Sequence, residues 1–131
     1  MKVQDIEFKL MEQATFNEFD GEAVVKDLRA NEGLWKGVVM DRASYCGGKY
    51  DSITEQINLI KLRDIADNHW NVDTLYILVR KGKEDKLESL AKMWGADEVD
   101  WIGGEEACHK LGSFSEEFSN NPKLILRVWW D

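Results

Sequence analysis

Apolar and polar residues alternate along this chain with two periods, and the switches between them outline its elements. From Val3 to Leu10, Ile6, Phe8 and Leu10 stand against Glu7 and Lys9, the period of a strand with one wetted face. Around Asn17 to Ala30 the spacing of Phe16, Phe19, Ala23, Val24 and Leu28 is helical, weakened by Gly21. Leu34 to Met40 is a short apolar run read as a buried strand. Ser52 followed by Glu55 has the form of a capping box, and Ile53, Ile57, Ile60 and Ile65 continue a helix to about His69. Thr74 to Val79 is the clearest buried strand. Glu84 to Trp94 sets Leu87, Leu90, Ala91 and Trp94 on one helix face and ends at Gly95, where a C′ glycine belongs. A short strand at Glu98 to Ile102, a short helix at Glu105 to Leu111 closed by Gly112, and a last strand at Lys123 to Trp130 complete the chain.

The order is βαβαβαβαβ. Strands separated by helices argue for crossover connections and an α/β fold: a three-layer sandwich around a mostly parallel five-stranded sheet. In this arrangement the apolar runs at 34–40 and 74–79 are central, and the alternating first and last segments are edges. An α+β fold with a mixed sheet is the alternative.

Composition narrows the setting. A chain of 131 residues with 44% hydrophobic and 32% charged residues has globular character and fits one domain spanning 1–131. No linker-like or repeated stretch interrupts it. No apolar run reaches the ~18 residues of a membrane span, and the polar start at Met1-Lys2-Val3-Gln4-Asp5 lacks the apolar region of a secretion signal. Cys46 and Cys108 are the only cysteines and form no CxxC pair, which fits a reducing compartment and a cytoplasmic location. The net charge of −8 comes without a basic stripe, which argues against nucleic acid and anionic membranes as partners. The acidity is compatible with a basic protein partner, but reads first as charge that keeps the chain soluble.

Candidate chemistry gathers where strands are expected to end, since open α/β sheets bind ligands there. The strand at 34–40 runs into a loop with Gly47, Gly48 and Lys49 before a helix start, and the strand at 74–79 runs into Arg80, Lys81, Gly82 and Lys83. Backbone amides freed by the glycines, joined by Lys49, Arg80 and Lys81, would hold a nucleotide phosphate or another small anion if the two strands lay side by side. The spacing of a P-loop is missing. Asp41 at a strand end and Cys46 before a helix start are candidate catalytic groups for a small hydrolase or transferase, but each lacks an evident partner. His69 falls about 25 Å from Cys46 along the predicted helix. His109 sits beside Cys108, which reads as core. Asp41 and Asp100 would pair only if their strands adjoined. Neither a zinc-like His/Cys spacing nor a calcium loop is present, and the sequence names no cofactor.

Tryptophan is over-supplied, with six residues. Trp129 and Trp130 are consecutive in the last strand and must point to opposite faces, so one of them is free to cover an edge, a helix or a partner. The sequence therefore points first to a small acidic, non-enzymatic protein that binds a protein partner or itself through its C-terminal strand. An anion-binding domain is second and a small enzyme third.

Overall fold

The computed structural model describes residues 1–41, 65–70, 72–112 and 120–131. Its first segment is a helix, α1, over Val3–Gln13, and not the expected strand. The carboxylate of Asp5 accepts a hydrogen bond from Lys2 N–H at 3.2 Å and lies in the first turn, where the helix dipole favours negative charge. The inward stripe is Gln4, Glu7, Phe8 and Met11, at three- and four-residue intervals. Phe8 and Met11 are buried, while Gln4 and Glu7 bond to the sheet. Ile6 and Leu10, which made the segment look strand-like, are exposed. Helix α2, Gly21–Ala30, starts at Asp20, whose side chain accepts from Ala23 N–H at 3.1 Å, and buries Val24, Val25 and Leu28. It crosses α1 so closely that a Cβ on Gly21 would overlap the Met11 carbonyl.

Four strands form one sheet: β1 (Trp35–Asp41), β2 (Thr74–Val79), β3 (Glu98–Ile102) and β4 (Ile125–Trp129), in the order β1-β2-β4-β3. Every neighbouring pair is antiparallel. The fold is thus α+β, and the parallel five-stranded three-layer sandwich is overturned. Strand–helix alternation correctly implies a crossover between β2 and β3 through helix α3 (Glu84–Ala91), and these strands do run the same way. They are not neighbours, however, because β4 returns after helix α4 (Gly104–Leu111) and pairs between them. β1, expected at the centre, is an edge with Lys36 and Val39 exposed, and β4, expected at an edge, is internal. Of the helix expected from Ser52 to His69, the part up to residue 64 lies outside the described residues.

The two sheet faces are covered unequally. On one, Val38, Met40, Leu75, Ile77, Val79, Leu126 and Val128 meet α1, α2 and α3 in the main core. On the other, Ile102 and Ile125 meet Ala107 of α4, with Tyr76, Leu78 and Leu111 partly buried beside them. Tryptophans fasten helices to the sheet and to one another. Trp35 Nε1 donates to the Leu28 carbonyl at 2.8 Å, Trp94 Nε1 to Asp27 Oδ2 at 2.9 Å, and Trp101 Nε1 to Glu88 Oε1 at 2.7 Å. Trp130 stacks on Phe19 with ring centroids 4.7 Å apart and is wholly buried.

Backbone pairing shows what happens at the sheet edges. Trp130 N–H donates to the Asp73 carbonyl at 3.0 Å, so with the register Leu75↔Val128 and Ile77↔Leu126 it is the odd-numbered residues of β2 that bond to β4. Tyr76 and Thr74 then bond to Val39 and Asp41, and Val38 and Met40 must turn their backbone groups outward. They do: Gln4 Nε2 donates to the Val38 carbonyl at 2.8 Å, and Gln4 Oε1 accepts from Val38 N–H at 2.7 Å. Glu7 Oε1 accepts from Met40 N–H at 2.9 Å. A side-chain amide thereby does what a neighbouring strand would do. Gln4→Ala removes both partners of Val38 and should destabilise the protein by about 1–3 kcal/mol. A urea midpoint unchanged from the wild type would show that water replaces the amide without loss.

Candidate functional site

The face of the sheet opposite the main core carries the groups with chemical character. Cross-strand register places Gly37, Leu78, Ile125 and Ile102 in one row. The next row is Val39, Tyr76, Arg127 and Asp100, and the last is Asp41, Thr74, Trp129 and Glu98. Helix α4 covers the first row. Between α4, α1 and the β1 edge lies a cleft of about 430 Å³, lined by Val39, Leu78, Leu111 and Ile125, with Gln4, Asp41, Tyr76 and Lys110 supplying polarity. Its size lies within the range of small-molecule sites.

Two titratable groups near this cleft are shifted by burial. Burial holds the Tyr76 hydroxyl above its ordinary pKa of 10.0; Arg127 opposes this, while Asp41, Asp73 and Glu106 add to it. At neutral pH Tyr76 is a neutral phenol, and the Lys110 ammonium lies 4.8 Å from its ring centroid. Glu7, behind the β1 edge, is half-buried. Desolvation raises its pKa above 4.5, opposed by the Met40 N–H bond and reinforced by the Asp41 charge. Farther along the face, Arg127 Nη1 bridges Glu98 at 3.2 Å and Asp100 at 3.1 Å. Among the described residues no three His, Cys, Asp or Glu side chains are grouped to hold a metal ion.

The residues singled out by sequence are dispersed. Cys46, Gly47, Gly48 and Lys49 lie outside the described residues. Asp41 ends β1 beside the start of β2, whereas Arg80 follows Val79, which pairs with Trp35 at the start of β1. The antiparallel pairing therefore puts Arg80 and Lys81 at the opposite end of the strand pair from Asp41, and Lys49 lies outside the described residues. Arg80 instead donates from N–H to the Leu34 carbonyl at 2.9 Å and borders a hollow of about 290 Å³ with Lys2, Lys36, Asp5 and Glu32. Lys81 is exposed in the turn that follows. Asp41 and Asp100 sit on opposite edge strands and do not meet. His69 and His109 are exposed, and Cys108 is buried.

Trp130 belongs to the core, so of the tryptophan pair only Trp129 faces the other side, on an internal strand. Its Nε1 is buried with no hydrogen-bond partner among the described residues. No helix among the described residues is long and apolar enough to cross a membrane.

Sequence reasoning missed the outer face of α1. Val3, Ile6 and Leu10, spaced by three and four residues, are 82%, 49% and 44% exposed, and Met1 is exposed beside them in sequence. The helix is amphipathic in reverse at this end, with Gln4 and Glu7 turned in and aliphatic side chains turned out. The signal was present in the spacing of Val3, Ile6 and Leu10, but it emerges only once the segment is known to be helical.

Comparison with known protein families, curated proteins and solved structures found no match to this chain.

The Glu7 carboxylate offers a test of this geometry. Its folded pKa is raised, so the folded state binds the proton more tightly than the unfolded chain does. That contribution to stability is full below about pH 4.5 and is lost as pH rises through the folded value. Glu7→Gln keeps an oxygen for Met40 N–H and carries no charge. The variant should match or exceed the wild type at neutral pH and lose that advantage in acid, measured as urea midpoints across the range. A constant difference at every pH would refute the assignment.

Proposed function

We propose that this chain is a non-enzymatic protein-binding domain that docks a partner through the outer face of α1. The observation that carries this is the exposed aliphatic stripe of Val3, Ile6 and Leu10 on a helix that turns the polar Gln4 and Glu7 to the sheet. A single exposed aliphatic residue is ordinary, whereas a helical row of them favours an interaction surface. The surrounding chemistry agrees. Tyr76 is a neutral phenol, Cys108 is buried, and the Thr74 hydroxyl, which donates to Asp73 Oδ1 at 2.8 Å, belongs to a wholly buried residue. Substituting Ile6→Glu together with Leu10→Glu changes only exposed positions, so the melting temperature should move by no more than a few degrees. In quantitative affinity capture, partners held by the wild-type chain should be lost by the double variant. Equal capture by both proteins would remove α1 from the interaction.

A second reading, anion binding, draws support from one place. Lys2, Lys36 and Arg80 converge on the smaller hollow, although Asp5 and Glu32 on its wall offset much of their charge. If the hollow holds a phosphate group, inorganic phosphate will raise the melting temperature of the wild type and leave Arg80→Ala unmoved. Identical curves for the two proteins, with and without phosphate, would discard it.

A further inference from the structure

The two edges of the sheet are treated differently, and the difference points to a second docking surface. The pairing that turns Val38 and Met40 outward on β1 also fixes β3. Leu126 and Val128 of β4 bond to β2, so Ile125, Arg127 and Trp129 turn their backbone groups to β3, opposite Ile102, Asp100 and Glu98. Two bonds beside the ladder agree with this side: Leu124 N–H donates to the Ile102 carbonyl at 3.2 Å, and Asp97 N–H to the Trp129 carbonyl at 2.9 Å. The N–H and C=O groups of Val99 and Trp101 therefore face away from the sheet, and no described residue pairs with them. On β1 both groups of Val38 and the N–H of Met40 are met by Gln4 and Glu7; on β3 no described residue meets the equivalent groups.

We infer that the free edge of β3 accepts an extended segment of a partner protein that carries lysine or arginine at every second position. An added strand would bond to the outward groups of Val99 and Trp101. Its alternate side chains would then fall opposite Glu98 and Asp100, whose carboxylates are 54% and 55% exposed. These two carboxylates share the Arg127 guanidinium, so their row carries two negative charges against one positive, while Lys123 Nζ lies 5.8 Å from the ring centroid of Trp101. Asp97 and Asp131 lie at the same end, joined by a 2.7 Å bond from Asp131 N–H to Asp97 Oδ2. Basic side chains opposite such a row are favourable cross-strand neighbours, and acidic ones are not. The same charges discriminate against a second copy of this chain. The antiparallel register that overlaps the whole of β3 with its own copy sets Asp100 against Asp100. On the other face, Val99 and Trp101 are half-buried against the main core and would meet apolar side chains of the incoming segment. This surface is separate from the α1 stripe, and neither proposal depends on the other.

The test uses the full chain and a five-residue capped peptide alternating lysine with valine, compared with its counterpart carrying glutamate for lysine. In amide-resolved NMR titrations, the lysine peptide should shift Val99 and Trp101 and slow their hydrogen exchange, and the glutamate peptide should bind at least tenfold more weakly. Proline is tolerated on an edge strand where the N–H points outward, so Val99→Pro should still fold, with a melting temperature lowered by the lost core packing of Val99, and lose the peptide. Should that variant fail to fold, Asp100→Lys serves in its place, with at least tenfold weaker binding of the lysine peptide and a gain for the glutamate peptide. Shifts confined to other surfaces, or binding that survives Val99→Pro in the folded variant, would overturn the proposal. A dimer in sedimentation that is lost on Val99→Pro would overturn the choice of partner in favour of self-association. Because Ile6→Glu with Leu10→Glu leaves this edge untouched, peptide binding by that double variant separates failure here from failure of the α1 surface.

Discussion

The paired hydrogen bonds between the Gln4 amide and the backbone of Val38 set the geometry of this molecule more than any apolar contact does. An amide has a donor and an acceptor spaced like those of a peptide group, so one side chain satisfies both outward groups of a strand residue. Leaving them unmet in a partly buried position is costly, and this ties the rotation of α1 about its axis to the register of β1. Glu7 adds the next point of attachment one turn later, at Met40. Phe8, one residue on, then drops into the core, where its ring meets Trp35 edge-on at 5.5 Å. With the inward stripe set in this way, Val3, Ile6 and Leu10 have only the outside left. The exposed aliphatic row is thus a geometric consequence of the edge cap.

This interaction also explains which parts of the fold could be read along the chain. Helices α2 and α3, strand β2 and the left-handed glycines after α3 and α4 were legible because burial, caps and period agree in them. The segment at 3–10 was not, because the usual inference takes polar residues as facing water. Gln4 and Glu7 face protein, and counting them as solvent positions turns a helix with three- and four-residue spacing into a strand with period two. Strand order was hidden for a different reason. Pattern reports which faces of a strand are buried, and says little about which strand lies beside it. Arg127 was the available hint: a charged residue inside the apolar run of β4 marks a strand whose second face is not core, where it bridges Glu98 and Asp100 of the strand alongside.

The candidate site was legible in still smaller part. Reasoning from loops beyond parallel strand ends placed chemistry at Arg80 and Lys81, but antiparallel neighbours send their loops from opposite ends of the sheet. The cleft is built instead from strand interiors, Val39, Tyr76 and Leu78, and from the last turn of α4. Its residues are unremarkable one at a time and become a surface only when α4 covers a single row of the face. The tryptophans likewise read as excess until their indole N–H groups are followed to Leu28, Asp27 and Glu88. Trp35 and Trp101 serve as long, rigid ties between sheet and helices, and Trp94 ties the turn after α3 to α2, each through a polar end that seeks an acceptor when buried.

The acidic balance acquires a location from the same argument. Among the described residues one edge of the sheet is partly capped by Gln4 and Glu7 and the other is not, and an open edge is a liability unless something limits what joins it. Glu98 and Asp100 limit it through charge. They repel a second copy in full register, the commonest hazard for an open strand, while Arg127 behind them keeps enough compensation for the strand to remain paired in its own sheet. Repulsion of like and attraction of unlike segments are two outcomes of one field, so a device that prevents self-association is also a selector for basic strands. The chain carries a net charge of −8 and concentrates Asp97, Glu98, Asp100 and Asp131 at this end of the sheet. A uniformly solubilising charge would not need that placement. Its concentration beside the uncapped backbone gives the acidity a structural reason.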